Sequence, residues 1–130
     1  MKRKAIDVPG LGHGGAPIPQ ACVVGGLLMS GGISGMDPAT GQIPEELPEQ
    51  ITHLFSNVHL VLKQAGGTPD DIIKMTFFVR DRSVRPLLDT HWVQMFPDAQ
   101  TRPARHLLIV ELPGALAIQC EIFANLEGSL

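Results

Sequence analysis

An α+β fold, one sheet carrying two helices on a single face, is what the sequence of 130 residues predicts. Three observations lead there. Apolar residues recur at helical spacing in two separate stretches, β-prone runs bracket and separate them, and the length suits one domain over residues 1–130.

Residues 1–45 are rich in Gly and Pro and hold two short β-prone runs, Ala21–Val24 and Leu27–Ser30, with Gly25-Gly26 between them to turn a hairpin. Residues 37–41, Asp-Pro-Ala-Thr-Gly, read as a further turn. Ile51, Leu54, Phe55, Val58, Val61, Leu62 and Ala65 then form the apolar stripe of a helix over 48–65, stopped by Gly66-Gly67. After a turn at 68–71, the β-branched and aromatic run 72–80 predicts a strand with Met75, Phe77 and Val79 on one face. Val84, Leu87, Leu88, His91, Met95 and Phe96 predict a second helix, with Asp81 or Ser83 as its cap, Pro86 in its first turn and Pro97 at its end. Strands over 106–112 and 116–124, separated by Pro113-Gly114, close the chain.

Along 106–112, Leu107 and Ile109 point to one face while Leu108, Val110 and Leu112 point to the other. The helices cover one side only. The other leaves an apolar patch that a monomer exposes to water, which predicts association through the sheet.

Composition narrows the function classes. Hydrophobic residues make up 44% and charged residues 18%, the balance of a folded globule. A net charge of −3 and the absence of Tyr speak against a surface for phosphate backbones or stacked bases, so nucleic acid is not the expected partner. The longest apolar run, near residues 21–29, is broken by Gly25-Gly26 and falls short of the roughly 20 residues that span a bilayer. Met1-Lys2-Arg3-Lys4 lacks an apolar stretch behind it and reads as a solvated terminus rather than a secretory signal. Cys22 and Cys120 read as reduced packing thiols, so the expected location is cytoplasmic.

Several motifs are weak when read in context. Residues 10–15 spell GxGxxG, but Pro17 and Pro19 follow where a phosphate-binding helix would begin, so a Gly/Pro loop is the better reading. His13, His53, His59, His91 and His106 show no paired ligand spacing, and no metal is expected. His91 falls on the apolar stripe of the second helix, as a core or interface histidine does, while His53 and His59 belong to helix faces. A Cys/His nucleophile pair gives way to inert packing, since both cysteines lie in strand-like runs. Ser30 ends a strand before Gly31-Gly32, whose backbone amides either receive an anion or simply turn the chain. Arg105, in Arg102-Pro103-Ala104-Arg105, enters the sheet just before an apolar strand and demands an anionic partner. From the residues alone, a structural salt bridge is slightly favoured over a carboxylate-binding site.

Taken together, Leu28-Met29-Ser30-Gly31, the 37–41 turn, Gln64-Ala65-Gly66-Gly67, the 73–81 run, Arg102-Pro103-Ala104-Arg105, Leu112-Pro113 and 118–124 resemble the RidA (YjgF) family over nearly the whole chain. That family is named from enamine and imine deaminases and was once catalogued as L-PSP endoribonucleases. The resemblance implies a chorismate-mutase-like domain whose last strand inserts into the sheet, a homotrimer, ligand clefts between neighbours and no cofactor. It also implies that Arg105 grips a substrate carboxylate, which reverses the preference for a salt bridge, and that backbone near Ser30, Gly31 and Gly32 shapes the pocket. The reaction implied is hydrolysis of 2-imino acids, or their enamine tautomers, to 2-oxo acids and ammonia.

Three positions depart from the family pattern. Gln119 stands where the deaminases carry a water-activating glutamate, and Glu121, on the same strand face, reads equally as a substitute for it or as a solvated or salt-bridged side chain. Ile18 replaces a cleft-lining tyrosine, and Leu107 replaces a cysteine found in some relatives. The expected function is thus a deaminase with altered substrate preference, in which Arg105, Gln119 and Ser30 are catalytic and Gly31, Gly32, Ile18, Leu107 and Glu121 line the substrate. A metabolite- or partner-binding trimer without catalysis is the alternative, and a ribonuclease using Arg80, Arg82, Arg85 and Arg102 ranks last because no acid/base pair accompanies them.

Overall fold

The computed structural model describes residues 2–129. Seven strands and two helices follow in the order β1 (Lys4–Ile6), β2 (Ala21–Val24), β3 (Leu27–Ser30), β4 (Ile33–Ser34), α1 (Leu47–Gln64), β5 (Ile72–Val79), α2 (Arg85–Met95), β6 (Ala104–Ile109) and β7 (Ile118–Asn125). The sheet runs β1-β2-β3-β7-β5-β6, with β4 also paired to β7. β7 pairs antiparallel with β3, β4 and β5, so the last strand lies in the middle of the sheet, while β6 pairs parallel to β5. The architecture is the single mixed sheet with two helices on one face that the sequence predicts.

Helical periodicity explains α1 directly. Ile51, Leu54, Phe55, Val58, Val61 and Leu62 are buried, and Pro48 sits in the first turn, where its missing N–H costs nothing. The helix ends in a Schellman motif: Gly66 takes φ +84°, its N–H donates to Lys63 O, and the Gly67 N–H donates to Leu62 O. A β-carbon at position 66 would be strained there. Against α1 and α2 the sheet presents Met75, Phe77 and Val79 from β5 and Ile118, Cys120, Ile122 and Ala124 from β7, all buried. Phe77 stacks on Phe55 at 5.9 Å and meets Trp92 edge-on at 6.2 Å, tying both helices to the central strand.

Two strand bounds differ from expectation. Lys4 is solvent-exposed, as expected of the terminus, but it also begins β1, whose Ile6, paired with Ala21, is buried. The strand expected over 106–112 is β6, which begins two residues earlier, so Arg105 lies inside a strand rather than ahead of it. The last strand inserts into the sheet, as the resemblance implies: β6 and β7 pair on opposite sides of β5, and residues 113–117 carry the chain from one to the other. The face away from the helices exposes Val24 at 40%, Leu27 at 51%, Met29 at 56% and Leu108 at 45%, the apolar surface anticipated from the alternation. No helix among the described residues is long and apolar enough to cross a membrane.

Candidate functional site

Arg105 is held on the helix side of β6. Its register partner is Met75, whose side chain faces the core, so the arginine projects toward α2. There the guanidinium lies over the Trp92 ring, 5.0 Å from its centroid, and Nη1 donates to Asp89 Oδ1 at 2.7 Å. Asp89 also meets Arg85 Nε at 3.6 Å, one helical turn away. The Arg105 side chain is only 19% exposed, against 41% for Asp89, so the cation is the better shielded of the two. Beside it lies a depression of about 590 Å³ lined by Arg82, Arg85, Arg105, Leu107, Leu108 and Ile109. The salt bridge and a cavity therefore coexist at this corner.

Gln119 occupies a different place. It pairs with Phe78 and Ser34, on the face opposite the helices, and lines a cavity of about 390 Å³. Gly32 lies against it: a β-carbon there would stand 2.5 Å from Gln119 Nε2, so a larger residue moves the Gln119 amide from this position. Ile18, 54% exposed, joins the same wall, and Leu11, Ile33, Met36, Ile43 and Leu116 make most of the remainder apolar. His13 lines this cavity too, in the loop where the letters GxGxxG fall, and no helix follows that loop.

Loops form these walls, and buried amides hold them. Gln50, 1% exposed, donates to Pro44 O and Ala115 O and accepts from the Ala117 N–H. Asn57, fully buried, donates to Ser34 O at 2.9 Å and Met36 O at 2.8 Å. Gln20 accepts from the Val8 N–H and donates to Leu11 O, closing the N-terminal loop. These three side chains supply the partners that irregular backbone otherwise lacks inside a protein. Sequence reasoning passed over all three, although positions 50 and 57 share the buried side of α1 with Leu54 and Val61, a polar interruption of an apolar stripe that signals buried hydrogen bonding. Asp89 was missed as well; its i,i+4 spacing from Arg85 was the available sign.

The other predicted residues divide. The Ser30 hydroxyl donates to Gly31 O and accepts from the Ile122 N–H, bridging the gap where β3 leaves β7. The Gly31 N–H donates to Gln20 O at 2.8 Å. Glu121, half-buried, shares the sheet face of Gln119 but lines neither the Gln119 cavity nor the Arg105 depression. Burial, and secondarily the Glu121 charge, push the Cys120 thiol far up, as befits an inert packing group. His91 stacks on Phe55 at 5.4 Å. Among the described residues no three His, Cys, Asp or Glu side chains converge as metal ligands. Within one chain, then, Ile18, Gly32 and Gln119 gather in one cavity and Arg105 and Leu107 in another, with the Arg105 and Gln119 side chains on opposite faces of the sheet.

Comparison with known proteins follows the same lines. The family model described as Endoribonuclease L-PSP matches residues 15–125. A RutC family protein of Aquifex aeolicus is 33% identical over 115 residues, covering 84% of this chain and 92% of its own. TdcF of Escherichia coli, whose name proposes a reactive intermediate deaminase, is 29% identical over 110 residues, covering 83% and 85%. The solved structure of TdcF with bound serine superposes with a TM-score of 0.84 at 28% identity, covering 94% of this chain and 98% of that one. A Rid family protein of Yersinia pestis, YyfA, superposes with a TM-score of 0.87 at 25% identity, covering 95% and 99%.

Proposed function

The chain belongs to the RidA/YjgF family, the family described as Endoribonuclease L-PSP, and from that premise we propose that it is a reactive-intermediate deaminase hydrolysing 2-imino acids at clefts between subunits of a homotrimer. The observation that carries the reading is Arg105: a shielded guanidinium, oriented by Trp92 and Asp89, at the edge of a depression that admits a small acid. A planar guanidinium bonded to Asp89 through Nη1 keeps further N–H groups for a two-pronged grip on a carboxylate. Serine, the ligand of the TdcF structure, carries such a carboxylate.

One subunit holds Arg105 and Gln119 too far apart in kind, on opposite sheet faces, to serve one small substrate. In the trimer proposed, the apolar face bearing Val24, Leu27, Met29 and Leu108 is the contact surface, and the Arg105 depression, which Leu108 also lines, is set against the Gln119 cavity of the next subunit. Arg105 then fixes the carboxylate, and the Gln119 amide orients a water toward the imine carbon. Water adds to that carbon and one of its protons passes to nitrogen, giving a carbinolamine; its hydroxyl proton then follows to nitrogen as the C–N bond breaks, ammonia leaves and the 2-oxo acid remains. Such imines hydrolyse unaided, so positioning supplies most of what is needed. Gln119 accepts no proton at neutral pH, and Ile18 and Leu107 make the walls apolar, so the preferred substrate differs from that of relatives with a glutamate and a tyrosine there.

The test generates imino acids with an amino-acid oxidase and traps them with semicarbazide. The wild type lowers the trapped yield, and Arg105→Ala lowers kcat/KM by about a hundredfold or more, the scale of losing one partner of a desolvated charge pair. Equal trapping with and without the wild-type protein for every imine overturns the reading. Gln119 favours a second reading, a trimer that binds 2-oxo or 2-imino acids without turning them over. Under it, acids raise the melting temperature while hydrolysis appears only in Gln119→Glu; unchanged turnover in that variant counts against it.

A further inference from the structure

Resting on the deaminase reading above, we propose that the cavity beside Gln119 receives the substrate's side chain and selects 2-imino acids whose side chain is apolar and several carbons long. The imine carbon bears three groups: the carboxylate, the nitrogen and the side chain. Arg105 reads the first, and Gln119 orients water toward the carbon itself. Neither distinguishes one imine from another, so discrimination comes from whatever surrounds the third group.

Around Gln119 that surrounding is a cavity of about 390 Å³ with Leu11, Ile18, Ile33, Met36, Ile43 and Leu116 in its walls. This is the size and character of small-molecule pockets and far exceeds what a methyl group fills. His13, Gln20, Ser34 and Gln119 are the polar residues of the lining; over the apolar remainder water finds few hydrogen-bond partners, and methylene groups that replace it there gain the benefit of leaving solvent.

The cavity is also actively maintained. Two of its wall residues, Ser34 and Met36, hang by their carbonyl oxygens from the Asn57 amide, and Leu116 lies between Ala115 and Ala117, both bonded to Gln50. Asn57 Oδ1 meanwhile is buried without a hydrogen-bond partner, an arrangement that costs stability. A helix position selected for packing alone would carry an apolar residue there. The amide instead fixes the backbone that borders the empty space, which is what a preformed side-chain pocket requires.

The protein is titrated by calorimetry with straight-chain 2-oxo acids from pyruvate to 2-oxohexanoate, and the matching imines are followed by semicarbazide trapping. Affinity and kcat/KM each rise about fourfold per added methylene, the value of burying one such group. Leu116→Trp and Ile18→Trp flatten both slopes; Ile18 is 54% exposed, so substitution there tests the pocket even where Leu116→Trp does not fold. Flat slopes in the wild type, or steep slopes that neither variant changes, overturn the pocket assignment. A steep affinity slope without any turnover supports the pocket and overturns the deaminase reading, and failure of every acid to bind overturns both.

Discussion

The Arg105 corner and the Gln119 cavity differ in how they are built. At the corner, one buried face of a guanidinium rests on Trp92 while its charge is answered by a half-exposed aspartate. The chemistry hangs on a single side chain. In the cavity, no one wall residue dominates; loops are pinned by Gln20, Gln50 and Asn57, and Gln119, which shares the lining with His13 and Ser34, lies over a glycine. A charge-reading site is thus brittle to substitution at one position, whereas a shape-reading site degrades through its scaffold.

The contrast is sharpest for Arg105→Lys. A point charge replaces the planar fork, so kcat/KM falls by about thirtyfold or more although the positive charge remains, the cost of a lost charge-assisted bond; trapping kinetics at low and high imine concentration measure it. Retention of full activity would show that only charge matters at the corner. Next in size is Asn57→Ala, which strips two carbonyls of their donor and lowers stability by about 2 kcal/mol, read as a lower urea midpoint. Gly32→Ala forces the Gln119 amide aside and reduces kcat about tenfold with little change in melting temperature, given that misplacement by an ångström weakens catalysis. Smallest is Asp89→Asn: the pair is substantially exposed on the aspartate side, so unfolding free energy drops by less than about 1 kcal/mol. A large effect there would move Asp89 from support into the site itself.

The fold was legible because its periodicities are clean. The α1 stripe, the alternation of Met75, Phe77 and Val79 and the Gly25-Gly26 hairpin each follow from local pattern, and each is found where the pattern put it. β1 and β4 were invisible, since three- and two-residue strands carry too little alternation to register, and Lys4 reads as a terminus until Val23 is seen beside it. The site was legible only as a list. Gly32 and Gln119 were named separately, and nothing in their spacing says that one side chain lies upon the other; the antiparallel pairing of β4 with β7 does that. Asn57 interrupts an apolar stripe and Asp89 stands one turn from Arg85, but neither sign names the partner, since the Ser34 and Met36 carbonyls and Arg105 are brought close only by packing of the helices on the sheet and its loops.

The bare α-carbon at position 32 has a mechanical corollary. Since the Gln119 amide lies where a β-carbon at 32 would intrude, the size of residue 32 sets where that amide can rest: the smallest residue leaves it against the backbone, and each larger one turns it further from that resting place, so position 32 tunes the aim of the water-orienting group without touching the water itself.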